Sequence, residues 1–100
     1  MKIIGLDRIA EAEEEHSEWG ASLRSWKKIL EGSSWKNFPD VTRTRKDADP
    51  VGSCVVFDIA HNRASLISRI LYDVQTVVVL SVISHAEYDK ERWKDACRCY

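Results

Sequence analysis

Near the end of the chain the stretch SVISHAEYDKERWK packs His85, Glu87, Tyr88, Asp89, Lys90 and Trp93 into nine positions. These types suit proton transfer and anion binding. A histidine titrates near neutral pH and can act as base or acid. Tyr88 can stack on a nucleobase or donate a proton, and Lys90 supplies positive charge. Three roles fit the cluster: a catalytic site, an RNA-binding edge, or the capped start of a last helix. Glu87 and Asp89 suit a helix N-terminus for dipole reasons alone, so His85, Tyr88 and Lys90 are the candidates for chemistry. Other groups could meet them. Arg43, Arg45 and Lys46 lie close together in a polar segment, Asn62 and Arg63 lie in a predicted turn, and Arg69 lies on a predicted strand. Asn62 suits a left-handed turn as well as it suits a ligand.

The elements that must position these groups fit one small domain over residues 1–100. Hydrophobic residues make up 44% and charged residues 31%, which excludes a disordered chain. The net charge is -1, but it is uneven. Residues 1–18 carry six acids against two bases, and the other 82 carry thirteen bases against ten acids. An acidic first helix beside a mildly basic remainder leaves room for an RNA-binding face. The odd cysteine count (Cys54, Cys97, Cys99) argues against a disulfide framework and for free thiols. The Cys97-x-Cys99 pair lacks a second ligand pair, so no metal site is expected. The charged start MKIIGLDR does not resemble a signal peptide, and TVVVLSVIS is a strand's length, not a membrane span. A cytoplasmic protein without a membrane segment is the expectation.

MKIIG reads as a first strand, and Asp7 as the cap of a helix running to about Ser17. Ser17 offers a second cap to a helix with Trp19, Leu23, Trp26, Ile29 and Leu30 on one face, stopped by Gly32. SSWKNFPD reads as a helical turn ended by Pro39, and TRTRKDADPVGS as a loop. The period then changes to two: CVVFDI is a strand, AHN a turn, ASLISRILY a strand, and the apolar QTVVVLSVI a central strand. HAEYDKERWKDACRCY reads as one helix. The predicted class is α+β, in the order β-α-α-β-β-β-α, with a small, mostly antiparallel sheet, an N-terminal helical pair and a C-terminal helix.

Four motifs in this order carry a family resemblance: Trp35-Lys36-Asn37-Phe38-Pro39-Asp40, Asp49-Pro50-Val51-Gly52, VVFDIAHN at 55–62 followed by Leu66 and Ile67, and SHAEYDK at 84–90 with Trp93. Together they resemble the HigB branch of the RelE/ParE toxin superfamily. The resemblance implies a RelE-like fold and the toxin of a type II toxin–antitoxin system. It implies an mRNA endoribonuclease that uses no metal or cofactor and inhibits translation, usually on the ribosome. The implied partners are mRNA, the ribosome and a cognate antitoxin of helix-turn-helix (HigA-like) type, through which the complex would bind operator DNA. The family's Tyr-Arg pair after Asn-x is replaced by Ala64 and Ser65, and its arginine on the next strand by Leu80. Ser84 stands in place of threonine. Metal-free cleavage through the RNA 2′-OH needs cations at the phosphate, and Ser65 and Leu80 remove two of them. The alternative is therefore a catalytically weakened homologue that mainly binds its antitoxin. The fold would also permit a gyrase-directed toxin, but SHAEYD belongs to the mRNA-cutting branch.

Overall fold

The computed structural model describes all 100 residues, Met1–Tyr100. Five strands form one sheet in the order β1-β5-β4-β3-β2. They are β1 (Lys2–Ile4), β2 (Asp49–Val51), β3 (Cys54–Ile59), β4 (Ala64–Leu71) and β5 (Thr76–Ser84). The helices are α1 (Leu6–Glu15), α2 (Gly20–Glu31), α3 (Phe38–Thr44), α4 (His85–Asp89) and α5 (Arg92–Ala96). Strands β2 to β5 pair antiparallel, and β1 joins β5 in parallel. The α+β class and the mostly antiparallel sheet match the expectation. The apolar β5 lies inside the sheet, but β4 holds the middle position.

Alternation divides the β3–β4–β5 surface into two faces. Val55, Phe57, Ile59, Leu66, Ile70 and Val77 point to one face, where they pack on Ile9, Leu23, Trp26 and Leu30 of the helical pair. Leu23, Trp26 and Leu30 are fully buried because the helical period places them on one stripe of α2, whereas Ile29, expected on the same face, sits at its edge and stays exposed. On the other face Cys54, Val56 and Ile67 meet Trp93 and Cys99. Register shifts between Ile67 and Ser68, where Ile67 opposes Ser81 and Ser68 opposes Val79, leaving Leu80 as the extra residue of a bulge.

Several sequence expectations are corrected. Pro39 does not end a turn. It sits in the first turn of α3, where its missing N–H is harmless, and Asn37 caps that helix by accepting from the Asp40 amide at 3.2 Å. The segment read as a polar loop holds the end of α3 and the short strand β2. The last helix is two helices, because Glu91 takes a left-handed conformation (φ 61) between α4 and α5. The first helix begins after Gly5, not at an Asp7 cap, and Ser17 opens a 3-10 turn without capping α2. Two thiols expected to be free form a disulfide, Cys54–Cys99, and Cys97 remains free. With Cys99 bonded, the CxC pair cannot act as two thiolate ligands. No helix is long and apolar enough to cross a membrane.

Candidate RNA-processing site

The stretch SVISHAEYDKERWK runs from the last four residues of β5 through α4 into α5. Ser84 leaves the strand in an extended conformation, and its Oγ accepts the Glu87 amide at 3.2 Å, capping α4. His85 is therefore the first helical residue. Its backbone N–H donates to the Arg63 carbonyl at 3.0 Å, which ties α4 to the β3–β4 hairpin. Its side chain is 62% exposed, with Nε2 3.5 Å from the Asp89 carboxylate. Tyr88 stacks on Trp93 with ring centroids 5.0 Å apart, and Trp93 Nε1 donates to the Tyr88 carbonyl at 2.9 Å. Burial, then the Asp49 carboxylate, pushes the Tyr88 hydroxyl above its usual value, so it stays protonated at neutral pH. Lys90 lies 3.3 Å from Glu87, which also binds Arg92 at 2.9 Å.

The hairpin tip turns through three consecutive non-glycine residues of positive φ: Ala60, His61 and Asn62. Asn62 thus occupies the predicted left-handed position. With its amide nitrogen facing Asp58, it donates to both carboxylate oxygens, at 2.7 and 3.1 Å. Asp58 lies opposite Ser65 across the strands, and burial followed by the Asp47 charge raises its carboxyl. An open groove of about 710 Å³ runs from this tip to α2, lined by Ser22, Arg45, Asp58, His61, Asn62 and Arg63, among others.

The candidate cations do not form one cluster. Arg45 is half-buried and makes a two-pronged bond to Asp47, at 2.7 and 2.8 Å, while its Nη2 also donates to the Asp58 carbonyl. Its guanidinium lies 5.7 Å from the centre of the Phe57 ring. Arg43 is bound to Asp40 in α3. Arg69 donates to the Cys97 and Arg98 carbonyls at 3.2 and 3.1 Å, on the far side of the sheet from the hairpin groove. Arg63 and Lys46 enter no ion pair. Ser65 is buried and pairs with Asp58 and Ile83; Leu80 is half-buried at the β5 bulge. Sequence reasoning missed Asp47 and Asp58, the acids that organise Arg45 and Asn62. A lone acid inside the apolar run CVVFDI was the available signal.

A capped histidine at the end of the last strand, facing a left-handed hairpin tip, sits within a stretch with a known counterpart. Residues 20–91 match the family model HigB_toxin, described as the RelE-like toxic component of a toxin–antitoxin system. The chain belongs to the HigB toxin family. As a HigB-family toxin it has an antitoxin as its counterpart, and its mixed five-stranded sheet with flanking helices is consistent with a RelE-like fold. The matched stretch spans α2 to Glu91 and leaves out β1, α1 and α5 of this HigB-family chain. Among curated proteins no match is found.

Proposed function

We propose that this toxin is a metal-free mRNA endoribonuclease of reduced activity, which acts on translated mRNA at the ribosome and is neutralised by a helix-turn-helix antitoxin. The observation that carries the reading is the exposed His85 imidazole at the capped start of α4, hydrogen-bonded through its backbone to the hairpin that presents Asn62 and Arg63. In the proposed reaction His85 accepts the 2′-OH proton as the 2′-oxygen attacks the adjacent phosphorus. The P–O5′ bond breaks, Tyr88 gives its proton to the leaving 5′-oxygen, and a 2′,3′-cyclic phosphate remains. Arg63 and Lys90 stabilise the charge on the phosphorane. Arg43, Arg45 and Lys46 contribute to the general field, and Arg45 holds Asp47 and the β3 end in place.

One observation favours the second reading, a toxin homologue that mainly binds its antitoxin. Lys90, Arg92, Arg43 and Arg45 are each bound to a carboxylate, and Ser65 and Leu80 supply no charge. Induction of wild type and His85→Ala, with mRNA decay mapped in each, separates the two. Cleavage in wild type that falls by about 10²–10⁴ in His85→Ala fits the enzyme. Intact mRNA in both, with antitoxin binding retained, leaves only the binding function. Supercoiling by gyrase should be unaffected throughout.

A further inference from the structure

The bulge at Leu80 opens on a second groove, of about 410 Å³, outside the hairpin site. Three arginines line it, each from a different element: Arg8 of α1, Arg69 of β4, and Arg98 just after α5. Leu80, Ala96 and Cys97 complete most of the wall, and no acidic residue lines it. Neither Arg8 nor Arg98 enters an ion pair. Arg69 is fixed by carbonyls and not by a carboxylate, so its charge is not neutralised. Glu11 and Glu15 share a smaller neighbouring cleft with Arg8 but lie outside this groove. Unpaired arginines converging in a concavity are expected to attract phosphate, because the guanidinium fork matches its oxygens and little of the charge is cancelled locally.

The position has a further meaning. Leu80 stands where the resembling family carries an arginine, and the bulge places it against these three arginines. Arg8, Ala96, Cys97 and Arg98 all lie outside the stretch that matches the family model. From Leu80 to His85 is five residues along β5 and its end, about 17 Å of extended chain. A single RNA strand can therefore reach both places.

We infer that Arg8, Arg69 and Arg98 form a phosphate clamp for the RNA backbone, in which Arg8 and Arg98, from outside the matched segment, replace the cation lost at Leu80. This rests on the RNA reading above and deepens it. The groove holds a phosphate flanking the scissile one, and the clamp positions the strand without touching the reacting atoms.

The test uses the double variant Arg8→Ser/Arg98→Ser, which keeps Arg69 and its hold on residues 97 and 98. Thermal unfolding should match wild type and so verify the fold. Binding of a short single-stranded RNA and of inorganic pyrophosphate is measured from low to moderate salt. We expect affinity for both to fall about tenfold, and the salt dependence of RNA binding to lose about 1.4 from its logarithmic slope, roughly 0.7 for each phosphate contact removed. RNA binding unchanged in affinity and slope would overturn the clamp and leave the RNA reading standing. Arginine-dependent pyrophosphate binding without any RNA binding would keep the groove as a phosphate site and overturn its role toward RNA. Binding of neither probe, or arginine-dependent binding only of an acidic peptide, would overturn the clamp altogether.

Discussion

Under α1 and α2 the sheet buries a cluster of 17 residues; on its opposite face only five side chains are fully enclosed, and a disulfide holds two of them. The first face is held by area. Three tryptophans and a row of aliphatic residues exclude water there, and the buried Trp26 indole N–H is left without a hydrogen-bond partner. The second face is held by individual bonds. Cys54–Cys99, the Arg69 bonds to the Cys97 and Arg98 carbonyls, and the Ser53 bond to Arg98 pin the last residues across the strands. Trp93 joins that cluster to Tyr88 through its ring. Tyr88 packs at the rim of this second face, whereas Asn62 and Arg63 line the groove that reaches α2.

The largest effect should come from the helix-covered face. Trp26 is fully buried and meets Phe57 edge-to-face at 5.6 Å. Trp26→Ala is expected to cost about 3–5 kcal/mol in urea unfolding, enough to unfold a marginal domain. A loss under 1 kcal/mol would end the claim that this face dominates stability. Next comes the opposite face. Breaking Cys54–Cys99, which spans 45 residues, should cost about 2–4 kcal/mol, because the unfolded chain regains the entropy of the open loop. Amide exchange on Cys99→Ser should then speed up in α5 and residues 97–100 before it does in α2. Uniform acceleration would mean that the two faces are one cooperative unit.

A smaller effect is expected at the hairpin edge. Burial works to raise the Asp47 carboxyl, but the Arg45 bonds and the Asp58 amide outweigh it and hold it below the usual value. The stabilisation from Asp47 is therefore fully present above the ordinary aspartate range and is lost as pH falls through its lower folded value. Asp47→Asn should cost about 1–2 kcal/mol at neutral pH, and the gap to wild type should close on acidification below the ordinary aspartate range. A gap constant down to strongly acidic pH would show that the pair is worth no more than its neutral counterpart. The smallest effect belongs to the cap of α4. Ser84→Ala should cost about 1 kcal/mol, with a larger loss in RNA cleavage than in stability, because His85 and Tyr88 follow from that cap. Equal fractional losses would remove the link between the cap and the site.

The strands read as CVVFDI, ASLISRILY and QTVVVLSVI fall within a residue of β3, β4 and β5, because period-two alternation and β-branched residues leave few alternatives. The turn at Asn62 was legible because few residues accept a left-handed backbone. Pro39 was misread because a proline fits the first turn of a helix as well as the end of one, and only the Asn37 cap decides between them. The break at Glu91 had no local signal, since a glutamate at φ 61 is held there by its surroundings. The candidate site was legible in part. His85, Tyr88, Asn62 and Arg63 come together at one end of the sheet, while Arg69 lies at the other groove and Arg43 is taken up by Asp40.

By itself the sequence determined the class of fold, the limits of β3, β4 and β5 to within a residue, most of the buried stripe of α2 and the capped start of α4. Each follows from periodicity and residue type over a few neighbouring positions. Only the tertiary structure decided which cysteines bond, which arginines find carboxylates, and that Leu80 sits in a bulge among Arg8, Arg69 and Arg98. Those outcomes depend on groups up to ninety residues apart in the chain. Hydrogen bonds and charges act over a few ångströms, so the partners are fixed only when the sheet brings them together.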